Sequence, residues 1–130
     1  MAGVVEVEFM IEGRGGHGAL PHRTSDPVVA AAQLVLALQQ VVSRYTDPSD
    51  PVVLTLGAIH AGDAFNVIPD EARILGTVRA FDPGVEREVE AAVRRVASGV
   101  ALATETTIEV AWRRYTIPTV NDDAIRALVE

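Results

Sequence analysis

The sequence contains no cysteine, which removes disulfide frameworks, thiolate zinc sites and a cysteine nucleophile together. It also contains no lysine, so all eleven basic residues are arginine, against eighteen acids and a net charge of −7. A chain this acidic lacks the cationic face on which non-specific nucleic-acid or anionic-membrane binding depends. Aromatic residues are sparse at 5 %, and no apolar run approaches the roughly eighteen residues that would span a bilayer. No basic segment followed by an apolar stretch and a cleavage site opens the chain, so a cytoplasmic setting is the expectation. What remains is 130 residues, 48 % of them hydrophobic, enough for one globular domain with a buried core.

Periodicity divides the chain into six main elements. Val5, Val7, Phe9 and Ile11 alternate with Glu6, Glu8, Met10 and Glu12, the period of a strand with one buried face. After a glycine-rich loop, Asp26-Pro27 offers a capping side chain and a proline at the first helical position, and Val28, Ala31, Ala32, Val35, Leu38, Val42 and Tyr45 recur at helical spacing. Pro48 and Pro51 end that segment, and Val52 to Ile59 is rich in β-branched and apolar residues, predicting a second strand. Ala72 to Phe81 predicts a third. Asp82-Pro83 repeats the cap, and Val85, Val89, Ala92, Val93, Val96 and Val100 form the inward stripe of a second helix, with Glu86, Glu88 and Glu90 where the macrodipole favours acids. Thr106 to Arg113 alternates as a fourth strand, and Asn121 or Asp122 caps the start of a short helix. The order β-α-β-β-α-β predicts an α+β, ferredoxin-like two-layer sandwich: a four-stranded antiparallel sheet with both helices on one face. That topology serves enzymes, sensors and assembly modules alike.

Three features could carry chemistry. Gly13-Arg14-Gly15-Gly16-His17-Gly18 satisfies G-x-G-x-x-G, but the helix begins about eight residues after the glycines and no acid follows at the ribose position, against nucleotide binding. His17, His22 and His60 could in principle ligate zinc, yet the acids cluster on strand faces and helix starts, where solvation explains them. Arg73 and Arg79, six apart, share one face of the third strand. Together with Asn66 and the histidine loop they would make a surface for a carboxylate or carbonyl.

The blocks Gly15-Gly16-His17-Gly18-Ala19-Leu20-Pro21-His22, Asp26 to Ala31, Gly57 to Gly62, Phe65-Asn66-Val67-Ile68-Pro69-Asp70-Glu71 and Gly76 to Asp82 resemble, in that order, the lid or dimerisation domain of the aminoacylase/carboxypeptidase family of dinuclear-metal amidohydrolases. Within it the chain is most similar to the branch of hippurate, N-acyl-amino-acid and indoleacetyl-amino-acid hydrolases. The resemblance implies a lid over residues 1–120, with 121–130 beginning the return into a catalytic domain. That domain would carry two divalent metal ions, zinc or similar, while the lid would hold none and be inactive alone. It implies a homodimer through the lid, a small N-acyl or N-aroyl amino acid as substrate, and no nucleic-acid or membrane partner. His17 matches a histidine that reaches the neighbouring subunit's active site and donates a hydrogen bond to the substrate carbonyl as it becomes an oxyanion. Asn66 and Arg79 match a pair that holds the substrate's carboxylate, and His22 a residue that orders the loop. His60 matches no role. The rival expectations are a free-standing ferredoxin-like module that binds a small acid and a purely structural assembly domain.

Overall fold

The computed structural model describes residues 2–117. Its elements run β1 (Gly3–Glu12), β2 (Gly16–His17), α1 (Pro27–Ser43), β3 (Val52–Ala61), β4 (Val67–Ile68), β5 (Glu71–Ala80), α2 (Pro83–Thr104) and β6 (Thr107–Thr116), with a 3₁₀ turn at Pro21–Arg23. The four long strands form one sheet in the order β3-β5-β1-β6, every neighbouring pair antiparallel. This is the α+β sandwich that the element order predicts. The helix expected after Asn121 lies outside the described residues.

The alternation in β1 decides which side of the sheet is buried. Val5, Val7, Phe9 and Ile11 are at most 1 % exposed, and they meet Ala30, Leu34, Leu38 and Val41 of α1 and Val89, Val93 and Ala97 of α2. Both helices therefore lie on one face. Burying some eighteen apolar side chains there, at about 25 cal/mol per Å² of apolar surface, is the dominant stabilising term. Each helix starts as its sequence requires: the Asp26 carboxylate accepts from the Val28 N–H at 2.8 Å, and that of Asp82 from Gly84 and Val85.

The opposite sheet face carries charge. Glu8 accepts from Arg73 at 2.9 Å and from Arg113 at 3.1 Å, and these two hydrogen bonds hold its carboxyl below the usual range. Because the folded value is the depressed one, this contribution is present at neutral pH and is lost as acid protonates Glu8.

One acid departs from the sequence expectation. The pattern places Glu86 among the solvated acids of the α2 start, whereas it is 2 % exposed and pairs with Arg114 at 2.6 Å. The pairing register puts Arg114 opposite Val5, so its side chain shares the helix-covered side of the sheet, where the first turn of α2 needs a cation. Arg114→Ala should destabilise the domain by about 2–3 kcal/mol, because it strands a buried carboxylate. Glu86→Leu with Arg114→Met should recover most of the loss in urea titration. Among the described residues no helix is long and apolar enough to cross a membrane.

Candidate functional site

The glycine-rich segment is part of a small antiparallel ribbon that the sequence alone reads as loop. Gly16 pairs with Ile68 and His17 with Val67. Hydrogen bonds fasten it on both sides: Gly13 N–H to the Asp70 carbonyl, Gly15 N–H to the Asp70 carboxylate and Gly18 N–H to the Asn66 carbonyl, each at 2.8 Å. The close approach explains the glycines. A Cβ at Gly15 would lie 2.1 Å from the Ile68 carbonyl oxygen, and one at Gly18 2.9 Å from that of Asn66. Either contact would force the two backbones apart. Gly62, at φ +67, turns the chain out of β3 toward β4.

His17 stands exposed on this ribbon. Its Nδ1 accepts a hydrogen bond from the Ala19 N–H at 3.0 Å, which requires that nitrogen to be unprotonated, so the neutral ring carries its proton on Nε2. The ribbon thus presents an outward N–H donor on a fixed backbone. The adjoining turn is held by its own bonds, from Leu20 N–H to the His17 carbonyl and from both the N–H and the hydroxyl of Thr24 to the Pro21 carbonyl.

The structure brings two of the four predicted site residues together. Asn66 sits beside the ribbon, across from Gly18. His22 lies exposed on the 3₁₀ turn that follows. Arg79 is elsewhere: it is exposed near the end of β5, between Val4 and Val53, eight positions past Glu71 and so about 27 Å along the strand from it. Arg73 does share Arg79's face, but its guanidinium is engaged by Glu8. His60 faces Arg73 from β3. Among the described residues no group of three or more histidines and carboxylates is placed to hold a metal ion.

The ribbon is a feature that sequence reasoning missed, and its signal was present: two glycines that a close partner strand demands, and an Ile-Pro-Asp run to face them. The edges of the sheet are unequal as well. β3 and α1 contain no Asp, Glu, Lys or Arg, whereas the opposite edge, β6, carries Glu109, Arg113 and Arg114. In a chain of net charge −7 this edge strand and the helix beside it lack the charges that ordinarily keep a sheet edge from pairing. Val28, Val29 and Leu36 of α1 and Val53 and Ile59 of β3 are 44–73 % exposed, Val53 on the sheet face away from the helices, opposite Arg79.

The profile of the Peptidase dimerisation domain family of M20 matches residues 2–105. The chain belongs to this family. The M20 dimerisation domain is 42 % identical to the N-acetyl-L-cysteine deacetylase of Bacillus subtilis over 99 % of this chain and 31 % of the relative. It is 38 % identical to the hippurate hydrolase of Campylobacter jejuni over 95 % of this chain and 32 % of the relative. The chain therefore spans about a third of the length of these curated relatives. A solved structure from methicillin-resistant Staphylococcus aureus superposes with a TM-score of 0.91 at 30 % identity, covering 98 % of this chain and 33 % of that one. A dinuclear metal binding peptidase from the M20 family, of Bacillus subtilis, superposes at 0.71 with 32 % identity, over 94 % of this chain and 28 % of that one.

Proposed function

We propose that this M20 dimerisation domain is the lid of a cytoplasmic dinuclear-metal amidohydrolase that cleaves N-acyl or N-aroyl amino acids, and that it lends His17 to the active site of a partner subunit. The observation that carries the reading is the exposed imidazole whose Nδ1 is occupied by the Ala19 N–H. An N–H donor on a rigid ribbon suits a carbonyl oxygen that gains charge in the transition state. The metal ions belong to the catalytic domain, where they would polarise that carbonyl and supply an activated water.

The uncharged edge supports an assembly through β3 and α1. Antiparallel self-pairing of β3 about a two-fold near its midpoint buries that strand together with the flank of α1 beside it. It also accounts for the separation of Arg79 from Asn66. The two-fold sets the Ala61 end of one β3 beside the Val52 end of the other. Arg79 lies one strand inward from Val53, so the partner's Arg79 would come within about 10 Å, two strand spacings, of the first copy's β3. Asn66 of one lid and Arg79 of the other would then hold the substrate carboxylate, the guanidinium gripping it bidentately.

The test is activity and metal content measured on two lengths of protein. The full-length protein should hydrolyse N-acetyl- or N-benzoyl-amino acids in a chelator-sensitive reaction. The 130-residue chain should neither turn them over nor retain stoichiometric zinc after dialysis. Chelator-sensitive turnover by the short chain, or none by the full-length protein, would remove the reading.

A further inference from the structure

The segment from Gly13 to Ser25 holds Arg14 and Arg23 and no acid, in a chain with eighteen acids and a net charge of −7. The fold draws the two arginines together. Arg14 N–H donates to the Ser25 carbonyl at 2.9 Å, Ser25 N–H to the Arg14 carbonyl at 3.0 Å, and Arg14 Nε to the Arg23 carbonyl at 3.3 Å. Both are exposed. Among the described residues neither is in an ion pair, whereas Arg73, Arg94, Arg113 and Arg114 each lie against a glutamate. The neighbouring acids have other partners: Asp26 caps α1, Asp70 accepts from the Gly15 N–H, and Glu12 stands beside Glu71 on the open face of the sheet. The pair also flanks the histidine. Arg14 precedes His17 by three residues, about 10 Å of extended chain, and Thr24, next to Arg23, lies so close to the ribbon that a Cβ at Gly16 would come within 3.1 Å of its methyl group.

We propose that Arg14 and Arg23 steer the anionic substrate to the site that His17 serves, through their field and without touching it. The proposal rests on the reading of His17 as the donor and of an N-acyl amino acid, a carboxylate at neutral pH, as the substrate. A chain this acidic repels such an ion. Two positive charges beside the imidazole offset that repulsion at the place where the substrate must arrive. Coulomb's law sets the size: two unit charges at roughly 11 Å in water enrich a monoanion about two- to threefold at low ionic strength, and almost not at all once the Debye length falls to about 4 Å. The field depends on charge and not on the guanidinium fork, so lysine would serve equally well, whereas a bidentate grip would need arginine.

The experiment follows hydrolysis of N-acetyl-alanine by the full-length protein from about 10 mM to about 0.5 M ionic strength. Arg14→Gln with Arg23→Gln should lower kcat/KM about two- to threefold at the low end, leave kcat unchanged, and match the wild type at the high end. Arg14→Lys with Arg23→Lys should keep the wild-type profile. Arg23→Gln alone should cost about 1.5-fold at low salt; its side chain makes no hydrogen bond among the described residues, so it tests the charge even if Arg14→Gln loosens the turn. Arg95→Gln, which removes one exposed charge from α2, should change nothing. A loss that persists at high salt, appears in kcat or survives the lysine exchange would assign the arginines to contact with substrate or partner subunit and overturn the proposal, as would no loss at low salt. Failure of the wild-type protein to cleave the substrate at any salt would instead bring down the amidohydrolase reading itself, and the steering with it.

Discussion

His17→Ala in the full-length protein is expected to lower kcat about a hundredfold while changing KM little. An oxyanion donor strengthens its bond only as charge develops, so its loss falls on the transition state, at about 3 kcal/mol. Asn66→Ala and Arg79→Ala should instead mainly raise KM, because in the proposed site they would hold the end of the substrate remote from the chemistry. Mixed dimers sharpen the test. A His17→Ala subunit combined with one disabled at its metal ligands should regain activity, because one site then joins an intact metal centre to an intact borrowed histidine. The separation of Arg79 from the ribbon adds a second pattern, read as kcat/KM at substrate well below KM: His17→Ala should also be complemented by Arg79→Ala. Under the same conditions it should not be complemented by Asn66→Ala, since His17 and Asn66 sit on the same ribbon of one domain. If subunit exchange is demonstrated and no pairing recovers activity, His17 does not act across the dimer.

The second large effect concerns assembly. The chain should form a two-fold dimer, and Ala32→Glu with Gln39→Glu should weaken it at least about a hundredfold in Kd. Both positions are exposed in the single copy, on the part of α1 that flanks β3, where Gln39 borders a groove with Val52 and Val53. Introduced carboxylates there would be buried against their symmetry mates, a cost of several kcal/mol, while the stability of each protomer should change by no more than about 0.5 kcal/mol. Ala91→Glu with Ser98→Glu, on the exposed side of α2, is the control and should leave the dimer intact. Sedimentation over a concentration series reads the result. A wild-type chain that stays monomeric at high micromolar concentration would show that pairing needs the catalytic domain, and a double variant that pairs normally would move the interface off α1.

The strand and helix pattern is local information, and so it was legible. The β1 alternation names its own buried face, and the two Asp-Pro starts name their helices, because capping and periodicity act within a few residues of chain. Boundaries moved only slightly: α1 ends at Ser43 rather than reaching Tyr45, and β6 continues to Thr116. The identity of His17, Asn66 and Arg79 as candidates came from blocks of sequence, which carry chemistry but no distances. Three things waited for the tertiary structure because each depends on residues far apart in the chain. Pairing of Gly16 and His17 with Val67 and Ile68 made a ribbon of a loop and set the imidazole's tautomer through Ala19. The register of β6 on β1 took Glu86 out of solvent by bringing Arg114 to it. The order of strands put uncharged β3 at an edge and left Arg79 at the far end of β5 from Asn66. Composition shows that β3 lacks charge, but only the sheet decides that it is an edge, since that depends on which strands compete for its hydrogen bonds.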